Sequence, residues 1–454
     1  MTQSRLCRTS GSVSSHPQGA KTSATASEPW FDWQLTRLPI GLQLLTIRRP
    51  GARTAAVRAY VRAGSRYDPS PMLGQSHMAE HMLFKGTQSH SQRQIFAAIE
   101  RMGGTLDAAT TKEYVALQAI VPKQGVRTAI DILAELLSET ALREEDFWDE
   151  KLVVLREICR AQDQQSVVFD LFAETLWRRH PLRQRVLGTL EGLHKLSPDS
   201  LLDHVRQRYV AGNMLLAVAG DIEHEQIRLA VRAQFAGLPE GSESPPELWR
   251  EAPLEGVRSA HLEKGVQQTC LLVGVPTVSV KHQDRSALKV LERVLGLGGS
   301  ARLYQRLREE TQLVYSVNTV TAHYEDAGFF GVLAACDADA VGEVRQAILE
   351  EWDRLRQHGV TQDELESAKS NHAGTQARRA ETNLSLASIY GTQALLHRVE
   401  TFAQSIARIN AVEREDALRV AQKYLAPERH VLATVGRRNE AQAQAAIQNR
   451  NELS

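Results

Sequence analysis

The chain has 454 residues, 42% of them hydrophobic, enough to build more than one domain with its own core. Lys plus Arg and Asp plus Glu number 54 each, so the formal net charge is zero, which gives no support for a nucleic-acid or membrane-surface footprint. No apolar run is long enough to span a bilayer, and the four scattered cysteines, Cys7, Cys159, Cys270 and Cys336, fit neither a disulfide framework nor a close-spaced zinc motif. They read as free thiols, the last three buried.

Residues 1–27 are rich in Ser, Thr, Gly and Ala and carry no acid before Glu28. They lack the apolar centre of a secretory signal and are expected to be a disordered leader. Arg5 and Arg8 leave an organelle-targeting role open, but no convincing amphipathic helix accompanies them, so a cytoplasmic location ranks ahead of an organellar, secreted or periplasmic one.

Globular sequence is expected from near Trp30, with strands at Leu42–Arg48 and Thr54–Ala63 separated by Pro50-Gly51. A helix is predicted from near Leu73 and another over Ser91–Met102, before Gly103-Gly104. Tyr114–Val121 returns to strand character and Gly125–Glu139 to helix. Over Phe147–Gln162, charged residues interleave with Val153, Val154, Leu155 and Ile158, as in a helix with one buried face. Leu201–Tyr209 reads as a further helix, and Met214–Ala219 as an apolar strand closed by Gly220-Asp221. Gly237–Pro246, rich in Gly, Ser and Pro, is the expected linker between domains at 28–236 and 247–454. The halves echo each other: YVAGNMLLAVAG starts at Tyr209 and YLAPERHVLATVG at Tyr424, each joining a helix end to an apolar strand and a glycine. The expected fold class is α+β: two homologous α/β-sandwich domains, each with a largely antiparallel sheet and helices covering one side. The Gln- and Ala-rich stretch 440–448 is read as the continuation of a terminal helix.

The chemistry concentrates in His77-Met78-Ala79-Glu80-His81. On a helix His77 and His81 lie one turn apart on one face, able to share a zinc ion, while Glu80 stands beside them as general base for a water. The competing reading is a charged helix whose histidines cap or face solvent; by composition, H-x-x-E-H arises by chance only a few times in roughly 100 such chains. A third ligand is expected from the helix over 147–162. Glu150 and Glu157 are seven residues apart on one face there, and spacing does not choose between them.

The run GQSHMAEHMLFKGT (74–87) together with EKLVVLREI (150–158) resembles the pitrilysin/insulinase metallopeptidases, or inverzincins, especially their mitochondrial-processing-protease-like short-chain branch. The resemblance covers almost the whole chain after the leader, including HPLRQRVLG at 180–188. It implies one zinc ion per chain held by His77, His81 and Glu157, with Glu150 as the neighbouring acid that orients a ligand. It implies that GGTLDAATT (103–111) includes an edge strand pairing with substrate backbone, with Asp107 and Ala108 as substrate-binding positions; Asp107 stands where Asn is expected. Within residues 298–317, Arg308 and Tyr315 match a paired substrate-binding set, Tyr315 donating to the developing oxyanion and Arg308 either binding a substrate carbonyl or organising the site. The implied activity is a zinc-dependent endopeptidase acting on peptides or unfolded segments inside a dimeric chamber. A homodimer is favoured and a heterodimer with a related metal-less subunit is the alternative; neither nucleic acid nor membrane is an expected partner. The competing function is a non-catalytic peptide-binding or assembly subunit of the same fold. Gly296–Gly299 is read as a tight turn, and His323, Tyr324, Glu325 and Asp326 as loop or rim residues.

Overall fold

The computed structural model describes residues 23–28, 30–160, 163–396 and 399–437. Its strands form two sheets. The first contains β1 (Ser23–Glu28), β2 (Phe31–Arg37), β3 (Gln43–Arg48), β4 (Thr54–Val61), β5 (Thr105–Thr110), β6 (Val115–Pro122) and β7 (Met214–Gly220), in the order β1-β2-β3-β7-β4-β6-β5. The second contains β8 (Arg258–Glu263), β9 (Thr269–Thr277), β10 (Val314–His323), β11 (Gly328–Cys336) and β12 (Val431–Gly436), in the order β10-β11-β9-β12-β8. Among the described residues, β3–β7 and β8–β12 pair in parallel and the other pairs are antiparallel.

The two echoing segments end on strands in equivalent places. β7 lies between β3, its parallel neighbour, and β4, its antiparallel one; β12 lies in the same way between β8 and β9. Such a central strand is covered on both faces and so reads as an unbroken apolar run, as Met214–Gly220 does, buried at every residue.

Helices α1 (Gln75–Leu83), α2 (Gln92–Glu100), α3 (Val126–Ser138), α4 (Glu144–Arg160) and α5 (Gln164–Leu176) follow in the first half. The opposite faces of the sheets depart from expectation, because each is covered by a helix from the other half. Asn383–Leu395 sets Leu386, Ala387, Tyr390 and Ala394 against Leu45, Tyr60, Leu215 and Ala217 of the first sheet. In return, α5 sets Val168, Phe172 and Leu176 against Cys270, Leu272 and Val435 of the second. Burying both faces removes more apolar area from water than one-sided cover.

Other expectations also change. Strand β1 starts at Ser23, ahead of the Trp30 start expected; residues 1–22 of the leader and the stretch 440–448 lie outside the described residues. Cys159 is exposed rather than buried, because it falls on the outer side of α4, while Cys270 and Cys336 are buried. From Leu238 to Val257 the chain has neither helix nor strand. Glu325 and Asp326 lie in the loop between β10 and β11, as expected, whereas His323 is the last residue of β10. Arg62 pairs with Glu325 (3.1 Å) and Glu243 (3.0 Å), and Arg66 with Asp326 (2.9 Å) and Glu113 (2.6 Å), in a network joining the halves. Both arginine side chains are buried, so these charges are held in place by their partners. No helix among the described residues is long and apolar enough to cross a membrane.

Candidate metal centre

Helix α1 is placed at both ends by specific groups. It starts after Gly74, whose φ of 98° is left-handed and whose added Cβ would lie 3.0 Å from Gly188 Cα. The buried Asp68 carboxylate accepts from the Gly74 and Ser76 amides, both at 2.9 Å, and from the Ser76 hydroxyl, satisfying donors at the helix start. Met78, Ala79, Met82 and Leu83 are buried in the core, which fixes the rotation of α1 and turns His77 and His81 toward α4. From α4, Phe147 and Val154 enter that same core, and Glu150 is buried beside them.

Three ligand atoms converge. His77 Nε2 and His81 Nε2 are 3.2 Å apart, and Glu157 Oε2 lies 3.7 Å from the first and 3.4 Å from the second. A tetrahedral zinc ion with bonds of about 2.0–2.1 Å keeps its ligand atoms about 3.3–3.4 Å apart, so the set fits such an ion. His77, His81 and Glu157 therefore form a cluster able to hold a metal. The half-buried Glu157 leaves it open on one side. Glu150 is not part of the cluster: its Oε1 meets His81 Nδ1 at 2.8 Å and its Oε2 meets Lys85 Nζ at 2.6 Å. With the proton on His81 Nδ1 bound to this carboxylate, Nε2 presents a lone pair to the cluster.

The electrostatics differ between the two imidazoles. Burial, with His81 alongside, pushes the His77 imidazole down to about 3, so it is neutral at ordinary pH. Burial opposes protonation of His81 as well, but the Glu150 bond and the Glu157 charge hold it above the usual range while no cation is present. Burial pushes the Glu80 carboxyl up, against the hydrogen bond donated by Thr110 Oγ1 to its Oε2.

The other expected site residues are placed as follows. Asp107 is exposed on β5, accepting from Gln118 Nε2 at 3.4 Å, and Ala108 packs against the core beneath. Among the described residues β5 is the edge of its sheet, with β6 as its one strand neighbour. Arg308 lies in a π-helical turn over Gln305–Glu310 and donates to the Val314 carbonyl at 2.8 Å. Tyr315, 51% exposed, donates to Asp337 Oδ1 at 3.1 Å. Among the described residues, neither bonds to His77, Glu80, His81 or Glu157. Two residues not singled out in the sequence touch the centre, Thr110 on Glu80 and Lys85 on Glu150. Lys85 stands four residues after His81, a helical spacing that the end of α1 at Leu83 obscures.

Residues 43–190 match the family model Insulinase (Peptidase family M16), and residues 195–371 match the Peptidase M16 inactive domain. The chain is 31% identical over 417 residues to an uncharacterized zinc protease of Streptomyces coelicolor, covering 90% of each. It is 28% identical over 437 residues to a probable mitochondrial-processing peptidase subunit beta of Arabidopsis thaliana, covering 93% of this chain and 82% of that one. A solved protease from Helicobacter pylori has the same fold, with a TM-score of 0.84 at 21% identity over 90% of this chain and 100% of that chain. With family models spanning most of its length and a His/His/Glu cluster shaped for a metal ion, the chain belongs to the M16 (insulinase) family of zinc proteases.

Proposed function

We propose that the protein is a zinc-dependent endopeptidase that cleaves extended peptides or unfolded segments, acting as a homodimer with one zinc ion per chain. The observation that carries this reading is the approach of His77 Nε2, His81 Nε2 and Glu157 Oε2 to within 3.2–3.7 Å of one another. Bound there, zinc supplies Lewis acidity that polarises the scissile carbonyl and makes a water acidic enough to attack at neutral pH. The rest falls to the chain's own residues. Glu80, outside the ligand set and tied by Thr110, takes the proton of the attacking water and passes it to the leaving amine, so that one water and one peptide bond give a carboxylate and an amine.

The open edge of β5 supports recognition by strand addition. Backbone pairing there holds an extended chain without demanding one side-chain sequence, which suits unfolded segments over folded proteins. Arg308 and Tyr315 bond within their own half, and in this reading a second copy brings them to the metal centre, as the short-chain branch of the family does. Tyr315 then donates to the developing oxyanion and Arg308 to a substrate carbonyl.

The test is Glu80→Gln in the full chain, assayed against an unbiased peptide mixture. Zinc is expected at one equivalent in both proteins, with cleavage lowered about 100-fold or more in the variant. Normal cleavage by Glu80→Gln overturns the assignment of the base.

A further inference from the structure

Helix α1 ends at Leu83, and the Lys85 amide still donates to the Met82 carbonyl at 3.2 Å, extending the winding by two residues. Gly86 then takes a φ of +136°, and a Cβ there would lie 3.1 Å from Arg143 Nη1 and 3.2 Å from the His90 carbonyl. This sharp exit leaves Lys85 one turn beyond His81, with its Nζ 2.6 Å from Glu150 Oε2. The other oxygen of Glu150 is 2.8 Å from His81 Nδ1. Glu150 is therefore gripped at both oxygens, between an ammonium and an imidazole. Its side chain is 9% exposed and that of Lys85 22%, so water screens the pair poorly.

We propose that Lys85 is a positioning residue of the metal centre, acting through Glu150 to fix the orientation and tautomer of His81 and to reserve the ion for Glu157. The inference rests on the metal reading above. Two carboxylates of α4 share the face toward the histidines, and only one can be the third ligand. Lys85 decides between them by holding Glu150 against Nδ1, on the side of the ring away from Nε2. Glu157 is left to meet both Nε2 atoms. Lys85 also balances charge: Glu80, Glu150 and Glu157 bring three negative charges to one divalent cation, and the ammonium makes the sum zero. Without it Glu150 keeps one buried oxygen unpaired, which frees it to rotate away from His81.

The experiment uses the full chain, stripped of metal and titrated with zinc against a chromophoric chelator. Lys85→Met is expected to weaken zinc binding roughly 10- to 100-fold and to move the visible absorption of the cobalt-loaded protein. Lys85→Arg is expected to restore most of the affinity. Because the effect runs through Glu150, the loss should shrink to less than about threefold when Lys85→Met is made on a Glu150→Gln background. Should Lys85→Met fail to fold by circular dichroism, Lys85→Ala is measured in its place. Wild-type zinc affinity in the Lys85 variant, or an undiminished loss on the Glu150→Gln background, overturns the proposal. His77→Ala and Glu157→Gln separate it from the reading beneath it. If these lose zinc while the Lys85 variant does not, only the role of Lys85 falls; if they too bind zinc normally, the metal site itself is misplaced.

Discussion

Thr110, the last residue of edge strand β5, donates its hydroxyl hydrogen to Oε2 of Glu80 on α1. In the proposed reading, the strand that offers its edge to a peptide and the helix that carries the base are thus joined by a side-chain bond. Thr110→Val removes the donor at nearly constant shape and leaves a half-buried carboxylate short of a partner. A hydrogen bond to a charged group is worth about 1.5–3 kcal/mol, so kcat is expected to fall roughly 10- to 100-fold. Thr110→Ser, which keeps the hydroxyl, should retain most activity. Steady-state kinetics on one peptide checks both, and an unchanged kcat in the valine variant removes Thr110 from the machinery.

Arg308 and Tyr315 give a sharper test of the dimer. Glu80→Gln and Tyr315→Phe chains are each expected to be nearly inactive. If a site takes Glu80 from one copy and Tyr315 from the other, a mixed dimer holds one intact site and one doubly damaged site. Co-expression in equal amounts makes about half the dimers mixed, giving about a quarter of wild-type activity per chain. No recovery in the mixture means that both residues serve the same site from one chain.

The metal cluster was largely legible in the sequence because its dominant part is local: His77 and His81 are four residues apart on one helix, and helical periodicity puts them on one face. The choice of Glu157 over Glu150 was not local. It depends on Lys85 and on how α4 crosses α1, and the family resemblance supplied it before any distance did. Strands β3, β4, β6, β7 and β12 followed from β-rich and apolar runs, whereas the exchange of α5 and Asn383–Leu395 did not. A helix packed on a sheet shows the same apolar face whichever sheet receives it. The loop placement of Glu325 and Asp326 was legible, but their ion pairs were not, for a related reason. Their partners Arg62 and Arg66 are 263 and 260 residues away in sequence, so nothing nearby marked them as paired.

The exchanged helices make close contacts that permit no side chain. A Cβ on Gly391 would stand 2.4 Å from Tyr60 Cε2, and one on Gly274 2.6 Å from Phe172 Cζ. Tyr60 is fully buried, and its hydroxyl donates to the Ala387 and Ser388 carbonyls, both at 3.1 Å, so its ring has little room to yield. Gly391→Ala is expected to destabilise by about 1–3 kcal/mol through overpacking, despite the better helix propensity of alanine. Gly374, on the helix Gln362–Arg379, has nothing within 4 Å of an added Cβ. Gly374→Ala should therefore stabilise by up to about 1 kcal/mol. Urea unfolding of the two variants should give shifts of opposite sign; equal shifts show that the packing at Tyr60 is looser than the distances imply.

Asp326 sets how the joined halves respond to acid. Burial opposes ionisation, but bonds from His180 and Arg66 and the Arg66 charge hold the Asp326 carboxyl down to about 2, against an ordinary 3.8. A depressed carboxyl stabilises the folded state fully above its unfolded value and progressively less as pH falls toward the folded one. The contribution is thus present at neutral pH and lost between about pH 4 and about pH 2. At 1.36 kcal/mol per unit the difference is worth about 2 kcal/mol. Asp326→Asn should lose about that much stability at pH 7 and show a shallower fall between pH 4 and pH 2 than the wild type. Urea unfolding at a series of pH values measures both quantities. A variant whose stability falls as steeply as the wild type across that window assigns the acid sensitivity to other carboxylates, with Asp284, held down to about 2 by Lys423, Tyr424 and Arg419 against its burial, the next to replace.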